Sequence, residues 1–478
     1  MPICRAGADA RTWFGSLAIT IWLAALLAIA AAPPVAAQAH DRVELTLEQA
    51  RGLAIRALED DEPRLAIRLA KGLLQADPKD ALAYFIIARG HARLNDFDLA
   101  RRAAALSYRY ADPGPARFEA AQLASRMAFQ AHRYSLAQLW LRRTAIHAPT
   151  EADEKLVARD YRLLRRVNPW SLRLRADLRP SNNVNNGSDT SLNIIDGVPD
   201  GGTISGGALA LSGLIGTLDL APSYRLHRTQ NSTTSLGARF YVERVALSSD
   251  AKSRAPQATG SDFASTYGAV TLTHAFAVGP AEQSGGASVS LSLGESWYGG
   301  ERSYRFARLA GRRHWRLNDG ARLALRADAE QRYKAQSDAN DARILGLGVD
   351  YFRTLGNGNV LGLELALRDA DANSVNGTYS SASMRATYTL ARAVGPARLS
   401  MGLVMGYTRY DRYIASLFIP PTRRTDTSLY GDLTLIFDRY DYAGFVPTLR
   451  LRTGRKNSNF SRFSSRDLSL SLGVGSKF

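Results

Sequence analysis

From about Trp170 to the terminal Phe478, apolar residues recur at every second position in a series of short segments. Residues 321–330, for example, place leucines and alanines on one face and arginines and carboxylates on the other. Residues 361–368, 399–407 and 429–437 repeat this alternation. The period is that of β-strands with one apolar and one polar face. Soluble sandwiches and membrane barrels share it, so the period alone leaves both classes open.

The connections between these segments favour the barrel. Short turns are predicted at residues 230–232, 279–280, 317–320, 355–358, 394–396 and 438–441, and longer polar stretches lie at 181–205, 248–262, 335–341, 369–377 and 412–424. Short turns at one end and longer loops at the other are typical of outer-membrane barrels. We therefore predict a transmembrane antiparallel β-barrel of about 14 strands over residues 168–478. An even strand count would leave both ends of the barrel domain in the periplasm.

The first residues have the features of a secretory signal peptide, which we assign to residues 1–39. Arg5 and Arg11 precede an apolar run that ends at Ala32, and small residues follow at Ala37 and Ala39. This pattern of charge, length and cleavage site is that of a signal peptide, and an uncleaved membrane anchor is the alternative. The single cysteine, at position 4, lies within the segment. The mature chain would therefore hold no thiol for disulfides, metal ligation or catalysis.

Residues 40–167 follow a helical period. Three segments in this range resemble one another, and they contain alanines at Ala66, Ala100 and Ala137, which lie 34 and 37 residues apart. This is the tetratricopeptide period of helix pairs, in which a small residue lets the two helices approach closely. A generic array of helical hairpins is the alternative, because the consensus Trp and Gly are missing. The predicted fold class is thus α + β in separate domains, with a tetratricopeptide-like α-helical array in the periplasm followed by the barrel.

The formal net charge of +17 is large. In a cytosolic protein it would suggest nucleic acid as a partner, and a signal peptide argues against that interpretation. Seven arginines cluster in three consecutive predicted segments, where we expect them to face the lumen as possible cargo contacts: Arg305, Arg308, Arg312, Arg316, Arg322, Arg326 and Arg332. They could form a basic wall that guides an acidic cargo or an anionic polymer. Alternatively, acids on other strands, such as Glu295 and Glu364, could neutralise them.

The residues that would support catalysis or metal binding do not form recognisable sites. The seven histidines make no paired metal-binding spacing, and the Gly-x-Ser-x-Gly elbow of serine hydrolases is missing. His274 or His314 could serve a site at the barrel rim, although a lumenal or interfacial position is the simpler expectation. The Asn-rich stretch 182–189 lacks the carboxylates of a calcium loop. We therefore predict no catalytic residues, no metal site and no cofactor.

The mature chain resembles the surface lipoprotein assembly modulators, also called the Slam family. The likeness rests on the order of signal peptide, tetratricopeptide-like domain and barrel, and on the opening of the barrel. There a short strand at 171–178 is followed by the Asn-rich stretch with Asn183 to Asn186. The resemblance implies a non-enzymatic outer-membrane translocator, which binds a surface lipoprotein or a secreted scavenging protein in the periplasm and delivers it to the cell surface. Other implied partners are outer-membrane lipid and the barrel-assembly machinery, which would read the strand ending at Phe478.

Two other functions are compatible with parts of the sequence. An exopolysaccharide export porin also joins periplasmic repeats to a barrel, but usually with many more repeats and a larger barrel. A lipase or deacylase active at the barrel rim would need a site that the sequence does not display. The three helix pairs favour the translocator.

Overall fold

The computed structural model describes residues 45–279, 285–317, 320–334, 341–415, 420–440 and 445–476. The assigned signal peptide, residues 1–39, and the terminal Phe478 lie outside these ranges. The described chain consists of a helical array followed by a closed β-barrel, which confirms the predicted fold class.

The helical array is built from antiparallel helix pairs. Within the described residues it has seven helices: α1 (Leu47–Glu59), α2 (Pro63–Ala76), α3 (Ala81–Arg93), α4 (Phe97–Tyr110), α5 (Pro115–Gln130), α6 (Tyr134–Ile146) and α7 (Glu151–Val167). The first six form three consecutive hairpins, and α7 leads into the barrel. The three predicted helix pairs are therefore present.

Each hairpin turns at a residue in the left-handed backbone region. Asp61, Asn95 and His132 have φ values of 60°, 61° and 57°, and each lies between the two helices of its pair. Asp, Asn and His adopt this conformation more readily than most residues. The turns follow the same repeat as the alanines. Ala66, Ala100 and Ala137 are each 0 % exposed, so the small side chains lie where the packed helices meet.

The barrel contains fourteen of the sixteen strands in the described part of the chain. Its strands are β1 (Trp170–Ser181), β4 (Gly213–Arg228), β5 (Ser232–Leu247), β6 (Ser265–Val278), β7 (Gly285–Tyr298), β8 (Glu301–Arg316), β9 (Ala321–Lys334), β10 (Ala342–Thr354), β11 (Val360–Ala372), β12 (Tyr379–Thr389), β13 (Arg398–Tyr413), β14 (Thr422–Ile436), β15 (Phe445–Ser458) and β16 (Ser465–Ser476). Neighbours in sequence are neighbours in the wall, all antiparallel. A separate hairpin of β2 (Leu192–Ile195) and β3 (Val198–Thr203) lies in the connection after β1.

The two faces of the wall differ in chemistry. Leucines such as Leu293, Leu347 and Leu472, which are 58 %, 61 % and 63 % exposed, line the outward face. The alternate positions point into the lumen and carry most of the charged side chains. An outward apolar band on strands long enough to cross a bilayer is the surface of a transmembrane barrel. In the described residues no helix is both long and apolar enough to span a membrane.

The two ends of the barrel are built differently. The helical array and the short connections, such as those between β4 and β5 or β10 and β11, lie at one end, which we call the array end. The longer connections lie at the other, or far, end. One far-end connection is a tight turn, because Gly299 and Gly300, with φ of 63° and 84°, join β7 to β8 directly.

The barrel closes where β1 meets β16. This closing seam pairs Arg175 with Gly475 and Ser181 with Ser469, whereas β1 pairs with β4 over its whole length, from Trp170 to Ser181. Pro180 lies in this strand and has no amide hydrogen to donate to a neighbour. Among the described residues the paired length at the closing seam is therefore shorter than that between β1 and β4.

Candidate functional site

Six of the seven arginines selected from the sequence share one patch of the lumenal wall. They are Arg308, Arg312 and Arg316 of β8 and Arg322, Arg326 and Arg332 of β9. Arg305 lies on the outward face instead, because its register partner is Glu295 on the face of Leu293 and Leu309. The reason is parity. Arg305 and Arg308 are an odd number of residues apart, and the two-residue period of a strand sends them to opposite faces.

Glu330 anchors the first half of this patch. Its side chain is 2 % exposed and lies between Arg308 and Arg332, both of which donate hydrogen bonds to its carboxylate. Each guanidinium also lies over an aromatic ring, that of Arg308 at 5.4 Å from the Phe306 centroid and that of Arg332 at 4.4 Å from the Tyr304 centroid. Carboxylate and rings together hold both arginines against the wall.

Asp350 of β10 anchors the second half. Arg326 donates to one carboxylate oxygen at 2.6 Å and Arg312 to the other at 3.3 Å. The Asp350 side chain is 8 % exposed, whereas those of Arg312 and Arg326 are 50 % and 42 % exposed. Gly348, next to Asp350 on the same face, leaves room for the Arg326 guanidinium, because a Cβ there would lie 3.1 Å from its Nη2. The arginines thus pair with the wall and still face the lumen.

Each carboxylate is shared by two arginines, so the patch keeps an excess of positive charge. The arginines that bond these acids are Arg308, Arg312, Arg326 and Arg332. Within the lumenal patch the paired acids are Glu330 and Asp350, and not the Glu295 and Glu364 that the sequence suggested. Glu295 pairs with Arg305 at 2.5 Å on the outward face. The two-residue period could have indicated Glu330, which shares its face with Arg326 and Arg332.

The rest of the lumen repeats this arrangement. Arg385 pairs with Asp432 at 2.9 Å, and Arg239 pairs with Asp219 at 2.9 Å. Over the described strands, lumen-facing bases outnumber lumen-facing acids. The bases include Arg173, Arg175, Arg179, Arg239, Arg308, Arg312, Arg316, Arg322, Arg326, Arg332, Lys334, Arg368, Arg385, Arg398, Arg424, Arg450, Arg452 and Lys456, and the acids include Asp177, Asp219, Glu243, Asp328, Glu330, Asp350, Glu364, Asp426, Asp432 and Asp467. The lumen is therefore basic as a whole.

The Asn-rich stretch folds the connection after β1 at the far end. Asn183 donates to the Gly187 carbonyl at 3.0 Å and accepts from the Gly187 amide at 2.9 Å. Asn185 donates to the carbonyl of Leu209 at 2.8 Å and accepts from the amide of Leu211 at 3.0 Å. The asparagines thus satisfy the backbone of their own connection. In the described ranges no group of three His, Cys, Asp or Glu side chains could hold a metal ion.

The two histidines considered for a rim site lie on different faces. His274 is outward on β6, and its Nδ1 shares a hydrogen bond with the Thr234 hydroxyl at 2.9 Å. His314 faces the lumen on β8, against the backbone of Gly286. The structure does not bring them together.

The junction between array and barrel is held by specific hydrogen bonds. Asn168 is 3 % exposed, donates to Gln138 at 2.6 Å and accepts from the Trp170 amide at 3.0 Å. Arg225 and Arg228 of β4 both donate to the carbonyl of Arg166, at 2.8 Å and 2.9 Å. These arginines satisfy a carbonyl in the last turn of α7, where the helix dipole also favours positive charge. The array is therefore fixed to the rim of the barrel.

The array presents two further surfaces. Apolar side chains remain exposed on several helices, including Leu82, Leu99 and Phe129, at 42 %, 48 % and 42 %. A polar aromatic cluster joins α4 to α6, where the Tyr108 hydroxyl shares a 3.2 Å hydrogen bond with His147 Nε2. Burial, helped by the nearby Arg117, lowers the pKa of His147 below its ordinary value, so the imidazole is neutral at neutral pH.

Comparisons with known proteins describe each part of the chain separately. No family model and no curated protein matches it. Among solved structures, the first TPR domain of the human RPAP3 protein is 15 % identical, covers 25 % of this chain and 93 % of its own, and has a TM-score of 0.23. OccK7 (OpdD) of Pseudomonas aeruginosa is 12 % identical, and the match covers 64 % of this chain and 98 % of OccK7, with a TM-score of 0.31. A bacterial polysaccharide outer membrane secretin is 9 % identical, and the match covers 64 % of this chain and 98 % of the secretin, also with a TM-score of 0.31.

A closed barrel with an outward apolar band and a polar, basic lumen is the architecture of a bacterial outer-membrane protein. The chain is therefore an outer-membrane barrel protein that carries a helical-repeat domain at one end.

Proposed function

We propose that the chain is an outer-membrane translocator that binds a surface lipoprotein or a secreted scavenging protein and delivers it to the cell surface, as members of the Slam family do. The observation that carries the proposal is the attachment of a helical-repeat array to the array end of the barrel, through Asn168, Arg225 and Arg228. In outer-membrane barrels the short turns face the periplasm. The array would therefore meet cargo in the periplasm, directly below the barrel.

The surfaces of the array support a docking role. Helical-repeat arrays bind extended or folded protein segments on their curved faces. Exposed leucines and Phe129 supply apolar contact area, and exposed arginines of the same helices, such as Arg102 and Arg126, supply charge. Aromatic, apolar and arginine side chains are the residue types that contribute most to protein–protein affinity.

The lumen supports passage or guidance of an acidic segment. Arg312 and Arg326 are positioned by Asp350 and still half exposed, and Arg316 and Arg322 lie on the same face near the array end. A basic wall attracts acidic segments and excludes basic ones through the summed field of its charges. The role is non-enzymatic, and insertion of the barrel would use the C-terminal strand, ending at Phe478, as its signal to the barrel-assembly machinery.

Deletion of the gene tests the proposal. Surface display of one partner protein should be lost while the total level of that partner is unchanged, as measured by surface labelling and whole-cell immunoblots. If display persists and a capsule or matrix polymer is lost instead, the translocator proposal is wrong, and the function is that of an exopolysaccharide export porin.

A paired set of variants tests the lumen separately. The double variant Arg316→Ala/Arg322→Ala removes two lumenal guanidiniums at the array end and should reduce display several-fold. Arg305→Ala removes an arginine from the outward face of the same strand and should leave display unchanged. Equal display by both variants would remove the basic wall from the mechanism.

A further inference from the structure

An open groove lies on the outward face of β13 to β16, toward the far end of the barrel. Its volume is about 580 Å³, and its apolar sides are Leu403, Leu429 and Leu468, which are 43 %, 49 % and 54 % exposed. Gly431 lies on the same face, between Leu403 and Thr453. A Cβ at Gly431 would come no closer than 4.0 Å to any atom beyond its chain neighbours, so the missing side chain leaves a depression in the apolar band.

Two arginines stand side by side at the far-end side of this groove. Arg455 of β15 and Arg466 of β16 are register partners, and both side chains are exposed on the outward face. Arg466 Nε lies 3.4 Å from the Asp189 carboxylate, whereas Arg455 has no ion-pair partner in the part of the chain that the structure describes. Like charges directly opposite each other weaken a strand pair. The pair therefore carries one positive charge more than its neighbours neutralise.

Two further polar residues, Asn182 and Asp467, line the groove. The Asp467 side chain points into the lumen, one residue after the outward Arg466, and its carboxylate accepts from the Ser181 hydroxyl at 3.3 Å. Asn182 Oδ1 accepts from the Leu468 amide at 2.8 Å, which fixes the Asn182 side chain and leaves its Nδ2 as a donor without a partner among the described residues. On its outward side the groove therefore presents two guanidiniums and one amide donor.

We propose that this groove binds a phosphorylated glycolipid of the outer leaflet, of the lipopolysaccharide class. A phosphate would lie between Arg455 and Arg466, and an acyl chain would lie over Gly431 between the leucines. Guanidiniums bind phosphate through directed, charge-assisted hydrogen bonds. The bound phosphate would also relieve the repulsion between the two arginines, which explains why like charges are placed directly opposite each other.

The arginines lie at the level expected for lipid headgroups. Arg455 is three residues from the end of β15 at Ser458, and Arg466 is one residue from the start of β16 at Ser465. Long basic side chains near the end of a membrane segment reach toward the headgroups while their neighbours remain in the apolar layer. Gly431, which lies nearer the middle of the wall, is where an acyl chain would be.

The choice of leaflet rests on the orientation in the proposed function, which turns the array end to the periplasm and the far end to the cell exterior. It does not depend on the cargo, and the lipid site would stand if the cargo were a polysaccharide. A glycolipid of the outer leaflet carries phosphates on a saccharide, whose hydroxyls can accept from the Asn182 amide. A glycerophospholipid has no such saccharide and fewer acyl chains to fill the groove.

Native mass spectrometry of the full-length chain in detergent tests the site without any cargo. The probes are lipid A with two phosphates, the same lipid A without phosphate, and phosphatidylglycerol. We expect one tightly retained phosphorylated lipid A and about tenfold weaker retention of the form without phosphate, as the loss of one charge-assisted interaction predicts. Phosphatidylglycerol should also be retained more weakly than phosphorylated lipid A. The double variant Arg455→Ala/Arg466→Ala should remove the preference for the phosphorylated form.

Gly431→Leu tests the apolar part of the groove separately, because it fills the depression and leaves both arginines in place. It should weaken the retention of both forms of lipid A. Arg244→Ala/Arg305→Ala is the matched control, because it removes two exposed outward arginines of β5 and β8 that do not line the groove. Heat-dependent gel mobility shows whether each variant has a folded barrel. Arg455→Ala alone serves if the double variant does not fold, since it breaks no described ion pair.

Four results would each overturn the proposal: equal retention of the two forms of lipid A, preference for phosphatidylglycerol, unchanged retention by Gly431→Leu, or an effect of the control equal to that of the double variant. These measurements detect lipid binding alone. Their failure would leave the display test of the proposed function unaffected, and failure of the display test would leave the lipid site unaffected.

Discussion

Replacement of Glu330 by alanine should lower the free energy of unfolding of the barrel by about 2 kcal/mol. The carboxylate is 2 % exposed and is the shared acceptor of Arg308 and Arg332. Removing one partner of a fully buried ion pair typically costs about 3–5 kcal/mol, because the remaining charge is left without a partner. Arg308 and Arg332 are 33 % and 23 % exposed, so water from the lumen would solvate them in part and reduce that cost.

Urea unfolding of the barrel in detergent micelles, followed by tryptophan fluorescence, measures this change. About 2 kcal/mol corresponds to an increase of about 30-fold in the unfolding equilibrium constant. Glu330→Gln should lose less, since its amide oxygen can still accept from one arginine. Asp328→Ala is the control, because Asp328 faces the lumen two residues away and has no arginine partner among the described ion pairs. A loss for Glu330→Ala within about 0.5 kcal/mol of the Asp328→Ala value would refute the reasoning.

Three further changes test the array and its junction in the full-length chain. Asp80→Ala removes the cap of α3 and should cost about 1 kcal/mol in circular dichroism melting. Burial of Asp80 opposes its charge, but hydrogen bonds to the carboxylate, led by that from the Ala83 amide, lower the pKa of Asp80 overall. The stability that the Asp80 carboxylate contributes is therefore complete above the ordinary aspartate pKa. It is lost as the pH falls through the lowered pKa. A cap effect that persists below that value would contradict this sign. The double variant Arg225→Ala/Arg228→Ala should release the C-terminal end of α7 from the barrel and speed cleavage at the junction by proteinase K. An unchanged cleavage rate would mean that these two arginines do not fix the array to the barrel. Ala137→Leu should overpack the array and cost about 1–3 kcal/mol, and an unaltered melting temperature would count against close helix packing there.

Periodicity, together with the lengths of the connections between the segments, predicted most of the architecture. The alternation over residues 321–330 predicted a strand there, and β9 begins at Ala321. The polar stretch 412–424 was predicted to be a loop, whereas β14 begins within it, at Thr422. The cause is that Arg424 and Asp426 are charged residues on the lumenal face of β14, and they resemble a polar loop in the sequence. Their ion pair is 7 % and 9 % exposed.

The candidate site could be predicted only in part. The face of each arginine follows from counting in twos, and that count separates Arg305 from Arg308. The identity of their partners does not follow, because it depends on the register between strands, which places Arg308 directly opposite Glu330. A shift of one residue would have sent Glu330 to the lipid.

The closing seam has a consequence for the order in which this barrel can form. Every other strand pair joins neighbours in sequence, whereas Arg175 and Gly475 come from opposite ends of the barrel domain. Contacts between distant parts of a chain cost more loop entropy and form late. The shorter pairing and Pro180 give this last step less hydrogen bonding to recover that entropy. The unclosed sheet should therefore be the longest-lived intermediate of insertion, and its two free edges are the surfaces that an assembly factor would need to hold until the strands meet.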